Sequence, residues 1–247
     1  MHIKLSATFA SRIYDPCKVR VFGFRIRRFS NNNIQWLTAI RGDDIWVAFA
    51  GTNEMADWLE NLDVRKIKTP YGSLHAGFCN AAKEIEDDID RQVAHRPWKN
   101  ITFCGHSLGG AIAVVTAARY MHLLPNVKLH LHTFGQPRVG DAKWVSNVFK
   151  DWENSYIRVV NAGDIVPHLP TFIRFRHSGQ VVFFDADHTV VNPTWQQRAM
   201  AGFNAMTKNR KSGLVSLSKH SMDSYLKNVL KIPERRNGHH NHNKCCF

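Results

Sequence analysis

Ile101-Thr102-Phe103-Cys104-Gly105-His106-Ser107-Leu108-Gly109-Gly110 is the stretch that decides the fold. Four β-prone residues run into G-x-S-x-G, and Ala111 to Ala118 continue as an apolar, helix-compatible run. Strand, tight turn and helix in that order are the context of a nucleophile elbow. So sharp a turn holds the serine in a strained backbone conformation, and its neighbours two positions away must be small. Gly105 and Gly109 meet that condition. The turn lifts the Ser107 hydroxyl clear of the sheet and aims a helix N-terminus at a developing oxyanion. Outside this context the same five residues would be a glycine-rich turn and nothing more.

An activated serine needs a base and a carboxylate, and in this class they follow the serine in the order acid, then histidine. Asp141 stands at the start of a helix and reads as its N-cap. Asp151 and Glu153 lie near a helix end and read as solvated. Asp164 lies 57 residues after Ser107, just past the C-terminal end of the apolar run Tyr156 to Val160. Catalytic groups of open α/β sheets gather at that edge; the alternative is a turn-forming aspartate. Fourteen histidines make any one of them a weak signal. His220, 56 residues beyond Asp164 and just before the helix that starts at Ser221, is favoured over His188, but the residues alone leave both open. His168 and His177 are close to Asp164 in sequence only.

The remaining elements alternate. Residues 1–14 read as a helix, Lys18 to Arg28 as an outer strand, and Ile34 to Ile40 with Ile45 to Ala50 as a hairpin about Arg41-Gly42-Asp43-Asp44. Ala76 to His95 reads as one amphipathic helix, with Phe78, Ala82, Ile85, Ile89 and Val93 on one face. Lys128 to Phe134 and Gln180 to Phe184 read as strands. Asp141 to Trp152, a stretch near 194–206 and another near 221–231 read as helices. Strands alternating with helices predict an α/β fold, a mostly parallel sheet with an antiparallel edge.

At 247 residues, one domain over 1–232 accounts for the chain, followed by a disordered His/Cys-containing tail over 233–247. The net charge of +13 sits at the ends: residues 1–30 carry +6, residues 208–247 carry +7, and the middle is neutral. Basic ends suit an anionic membrane surface or simple solubility. No nucleic-acid recognition motif accompanies them. There is no signal-peptide h-region and no transmembrane-length apolar run, so an intracellular, cytoplasmic location is expected, with membrane association through the basic ends. Five cysteines, an odd count without disulfide-like spacing and with Cys17, Cys79 and Cys104 scattered, read as free thiols in a reducing compartment. The tail His239, His240 and His242 with Cys245 and Cys246 lack ordered metal-ligand spacing, so no metal and no cofactor is expected. Cys245 and Cys246 do not form a prenylation box but are open to acylation.

Several motifs in register resemble the class 3, fungal-type triacylglycerol lipase family of the α/β-hydrolases, over about residues 5 to 231. They are Val47-Ala48-Phe49-Ala50-Gly51-Thr52 followed by Asp57-Trp58; His75-Ala76-Gly77-Phe78; the elbow; Phe134-Gly135-Gln136-Pro137-Arg138-Val139-Gly140; Asn161-Ala162-Gly163-Asp164-Ile165-Val166-Pro167-His168-Leu169-Pro170; and His220 with Tyr225 behind it. Ala50 stands where the family usually has Arg. The resemblance implies an α/β-hydrolase fold with Ser107, Asp164 and His220 as catalytic triad. It also implies Thr52 and the Leu108 N–H as oxyanion donors, and a short helical lid carrying Met55, Trp58, Leu59 and Leu62. An ordinary surface helix is the alternative for that segment. His75 and His106 read as packing groups beneath the elbow, and Arg138 as a turn-fixing salt-bridge partner. The implied reaction is hydrolysis of acylglycerol-type lipid esters through an acyl-enzyme. Phospholipase A1 or general carboxylesterase activity on the same triad is an alternative, and a catalytically silent membrane- or protein-binding module is another. The expected partner is a lipid ester, and the sequence leaves oligomeric state open.

Overall fold

The computed structural model describes residues 2–15, 21–31, 34–51, 65–94, 96–150, 152, 155–170, 173–185, 188–191, 193–194, 197 and 219–233. Thr52, the four lid residues Met55, Trp58, Leu59 and Leu62, most of the helix expected near 194–206, and the tail beyond 233 lie outside them.

Helix α1 (His2–Tyr14) is followed by strands β1 (Arg25–Asn31), β2 (Ile34–Arg41) and β3 (Asp44–Phe49). A small hairpin comes next, β4 (Lys66–Thr69) and β5 (Gly72–His75), then helices α2 (Ala76–Glu84) and α3 (Glu86–Val93). The rest of the chain gives β6 (Asn100–His106), α4 (Leu108–Leu123), β7 (Lys128–Phe134), α5 (Ala142–Phe149), β8 (Tyr156–Asn161), β9 (Gln180–Asp185), β10 (His188–Val191) and α6 (Met222–Leu230).

Eight strands form one sheet in the spatial order β1-β2-β3-β6-β7-β8-β9-β10. The pairings from β3 through β6, β7 and β8 to β9 are parallel, and both margins are antiparallel. The order advances in one direction, so right-handed crossovers all land on the same face. Helices α2 to α5 cover that face, against Ile101, Phe103 and Leu131. The opposite face receives no crossover helix. Terminal helices cover it instead: α1 packs on β2, β3, β6 and α6, and α6 on α1 and β8. Side chains alternate accordingly along β6, Ile101 and Phe103 toward the crossover helices and Cys104 toward Phe9 and Ile13 of α1.

Several expectations shift in detail. The outer strand occupies Arg25–Asn31 rather than Lys18 to Arg28, because Gly23 turns the chain at φ 78° before it. Helix 76–95 is broken at Ile85, whose ψ of 5° leaves the helical range; Glu86, Asp87 and Asp88 then supply the acidic first turn that favours a fresh N-terminus. Asp141 caps α5, accepting from the Trp144 N–H, and the helix ends at Phe149 rather than Trp152. The hairpin β4–β5 was not expected, although Pro70-Tyr71-Gly72 is a turn signal.

Candidate active site

Ser107 joins β6 to α4 at φ 57° and ψ −126°, the one non-glycine residue with positive φ among those described. Such a conformation costs on the order of 1–3 kcal/mol and persists only where the surroundings enforce it. Here the Ser107 N–H donates to Phe134 O of the neighbouring strand at 2.9 Å. The close crossing of α4 over β6 and β3 requires the flanking glycines. A Cβ on Gly105 would strike the Gly109 backbone, and one on Gly109 would strike the carbonyls of Phe49 and Ala50. Leu108 opens α4, so its N–H is among the four that a helix N-terminus leaves without an intrahelical partner.

Asp164 and His220 come from loops after β8 and before α6, and they meet beside the elbow. His220 Nδ1 donates to Asp164 Oδ2 at 2.7 Å. The same oxygen accepts from Tyr225 Oη at 2.5 Å, and Oδ1 accepts from the Val166 N–H at 2.9 Å. Asp164 is therefore fully enclosed yet held by three donors. That satisfies the rule that a buried carboxylate needs donors for its lone pairs. Burial, and then the neighbouring Asp164, hold the Tyr225 phenol well above its ordinary pKa, so it remains a donor. His220 is 3% exposed, and its other nitrogen, Nε2, is buried with no hydrogen-bond partner among the described residues. Gly135, at φ 60°, leaves space for this pair: a Cβ there would lie 2.9 Å from the His220 ring and 3.0 Å from Asp164 Oδ2. Because Phe134 also binds the Ser107 N–H, the turn after β7 adjoins both halves of the constellation.

The turn after β7 thus has Ser107, at the start of α4, on one side and the Asp164–His220 pair on the other. The structure does not bring in the rejected histidines. His188 is in β10, paired with Asp185 of β9. His177 bonds Pro167 O. His168 lies in the short 3-10 turn Val166–His168 after Asp164, held to about pKa 4 by burial and the Arg138 charge. His106 does lie beneath the elbow, its ring 4.6 Å from that of His220. His75 instead stacks on Phe78 at 4.0 Å and tilts against Phe175. Arg138 is not the expected salt-bridge partner: it donates to the carbonyls of His168 and Pro170, and no carboxylate pairs with it among the described residues. It fixes the Asp164 loop through backbone acceptors instead. Its own N–H, donating to Leu169 O at 2.7 Å, adds a third tie. Sequence reading missed Tyr14, whose hydroxyl lies 3.0 Å from His106 Nδ1. It also gave Tyr225 no bond to the carboxylate. Tyr14 has no sequence signal, being far from His106 along the chain; Tyr225 stands in the motif of His220, but its bond to Asp164 spans 61 residues.

Among described residues no helix is long and apolar enough to cross a membrane, and no cluster of three or more His, Cys, Asp or Glu has metal-binding geometry.

The model of the family described as Lipase (class 3) matches residues 46–173, just over half the chain. The chain belongs to the class 3 lipase family. The lipase of Rhizomucor miehei is 33% identical over 154 residues, covering 57% of this chain and 42% of that protein. A lipase of Caenorhabditis elegans is 43% identical over 199 residues, covering 70% of this chain and 55% of its own. A secreted mono- and diacylglycerol lipase of Malassezia restricta is 35% identical over 114 residues, covering 44% of this chain and 38% of its own. The match therefore spans about half the length of these relatives or less. Among solved structures, the native Rhizomucor miehei lipase propeptide complex superimposes with a TM-score of 0.61 at 25% identity, over 77% of this chain and 68% of that one. Lipase II of Rhizopus niveus shares the fold with a TM-score of 0.65 at 22% identity, over 76% and 80%. This class 3 lipase chain has the α/β-hydrolase fold, its mostly parallel sheet flanked by helices on both faces.

Proposed function

We propose that this chain is a serine carboxylester hydrolase that cleaves acylglycerol-type lipid esters. One observation carries the reading. A serine at positive φ, at the head of a buried helix, adjoins the same turn after β7 as an imidazole whose Nδ1 is held by a buried carboxylate and whose Nε2 has no hydrogen-bond partner among the described residues. In the reaction His220 Nε2 takes the Ser107 proton as Oγ attacks the ester carbonyl. Asp164 keeps the proton on Nδ1 and stabilises the imidazolium. The oxyanion is received by the Leu108 N–H and by Thr52, each worth on the order of 3 kcal/mol in the transition state. The imidazolium then protonates the departing alcohol, and water, activated by the same imidazole, cleaves the acyl-enzyme.

Labelling of Ser107 by a fluorophosphonate, with a panel of short- and long-chain esters and phospholipids run on wild type and Ser107→Ala, tests this. Ester turnover and labelling that both vanish in the variant are expected. Folded wild-type protein that neither labels nor turns over any ester would instead favour a catalytically silent binding module. Preference for phospholipid or for soluble short esters would select the phospholipase A1 or carboxylesterase reading.

The same proposal takes residues 1–232 as one domain with 233–247 as its tail, and residues 53–62 as a lid opening at a lipid interface. A jump in activity above the solubility limit of a short-chain ester is the expected sign of a lid. Peripheral contact with anionic lipid is supported by the exposed arginines Arg25 and Arg27 on the edge strand β1. It predicts salt-sensitive binding to vesicles containing phosphatidylserine. Intracellular residence is supported by the buried free thiols of Cys79 and Cys104. Relatives named as secreted, from Malassezia restricta and Fusarium solani, point the other way, and cell fractionation decides.

A further inference from the structure

The face of the sheet that the crossover helices leave open is covered by α1, and the last residue of α1 reaches the elbow. Tyr14 Oη lies 2.6 Å from the Gly51 nitrogen, at the exit of β3, and 3.0 Å from His106 Nδ1. His106 Nε2 lies 2.5 Å from the carbonyl oxygen of His220. Chemistry allows one polarity for this chain. The Gly51 N–H can only donate and the His220 carbonyl can only accept. Tyr14 therefore accepts from Gly51 and passes its own proton toward His106 Nδ1, and His106 donates from Nε2 to His220 O. Reversing the middle link would put a lone pair of His106 Nε2 against the carbonyl lone pairs at 2.5 Å. An imidazolium is disfavoured, because His106 is buried and faces the His220 ring. Burial, then the charge of His220, holds its pKa well below the ordinary value.

We propose that Tyr14 is a positioning residue, tying the loop that leads into Thr52 to the backbone of His220 through His106. The geometry leaves little slack. Gly51 lies so near the nucleophile that a Cβ on it would come 2.9 Å from Ser107 Cβ and 2.8 Å from Tyr14 Oη. A shift of Gly51 would move the oxyanion side of the pocket, and a shift of the His220 carbonyl would move the imidazole. The Tyr14-His106 chain makes the two move together. One end of it is anchored by packing, since Ile13 and Phe9 of α1 are buried against β2, β3 and Cys104. Arg28 of β1 also binds the carbonyls of Arg12 and Ile13.

The inference rests on the ester-hydrolase reading for its kinetic arm but not for its spectroscopic one. Tyr14→Phe keeps the ring and removes the link. It is expected to lower kcat on a water-soluble short-chain ester, and the rate of fluorophosphonate labelling, by about 10-fold, the size of one neutral hydrogen bond. KM stays near wild type, and the melting temperature falls by only a few degrees, on the order of one lost hydrogen bond. Independently, nitrogen-15 shifts of His106 in wild-type protein are expected to show a protonated Nε2 and an accepting Nδ1 across pH 5 to 8; Tyr14→Phe should keep the proton on Nε2, which the His220 carbonyl still requires, and move the Nδ1 shift toward that of a ring nitrogen without a donor. Wild-type labelling rates in the variant, or a proton on His106 Nδ1 in the wild type, would overturn the proposal. Absence of labelling in the wild type would instead overturn the hydrolase reading, and the tautomer would still test the chain. The wild-type tautomer needs no variant, so the test survives a Tyr14→Phe protein that does not fold.

Discussion

The two faces of the sheet are built from different chemistry. The crossover face, under α2 to α5, is a continuous apolar core of residues such as Ile45, Phe49, Phe103, Leu131 and Ile112. The terminal-helix face carries imidazoles along its length. His106 and His220 lie at the elbow end, and His2, His130 and His132 at the other, with His2 and His130 rings 5.6 Å apart and His132 Nδ1 2.7 Å from Ser6 Oγ. The crossover face supplies packing energy around one buried polar cluster, Thr133 and Tyr156 donating to Gln136 Oε1. The other tolerates buried polar groups because α1 and α6 bring hydroxyls and carbonyls to meet them. Catalytic parts can be assembled where polar groups are already accommodated.

The sharpest break of that comparison is expected at Ser107. Ser107→Ala should lower kcat by roughly a millionfold, with stability unchanged or slightly improved, read by ester turnover and thermal melting. Asp164→Asn is expected next, at about 10⁴-fold in kcat, because the amide no longer selects the His220 tautomer. A cost concentrated in KM would deny Asp164 that role. Phe103→Ala, on the other face, should do the reverse. It should remove about 3–5 kcal/mol of stability in a denaturant titration while activity per folded molecule persists. If it abolished turnover in folded protein, the division of labour between the faces would be wrong.

Stability also depends on pH on the terminal-helix face. Burial, followed by neighbouring imidazoles, lowers His130 to about 4 and His132 to about 3, against an ordinary 6.5. The unfolded chain then binds more protons than the folded one below pH 6.5. Stability from these groups is therefore complete above that value and is lost as pH falls toward 4 and 3. The loss reaches up to about 1.4 kcal/mol per pH unit for each imidazole. His132→Gln should flatten the acid limb of a melting-temperature profile, whereas Phe103→Ala should lower the whole profile without changing its slope.

The elbow was legible because its constraints are local. Gly105, Ser107 and Gly109 lie within five residues, and the flanking runs reveal their own periodicity. The hairpin about Gly42, the Asp141 cap and strand β7 were legible for the same reason. Histidine selection was not legible from spacing, although the family motif implied His220. His188 and His220 remained alternatives on the residues alone, and only the meeting of two loops 56 residues apart placed His220 Nδ1 on Asp164. The break at Ile85 escaped because apolar spacing continues through it, while the backbone departs from helix there. Arg138 was given a carboxylate partner, since charge suggests one, but its acceptors are carbonyls, which composition cannot reveal.

By itself the sequence determined the strained serine turn, the strand and helix that hold it, and membership of a lipase-like motif set. Each of these is a matter of neighbours within a few residues. Tertiary structure decided which face the terminal helices cover, and hence that Tyr14 and Tyr225 reach the site. It also decided that one carboxylate oxygen serves both His220 and Tyr225. Those outcomes depend on the one-directional strand order, which sends every crossover to one side and leaves the other to the chain ends.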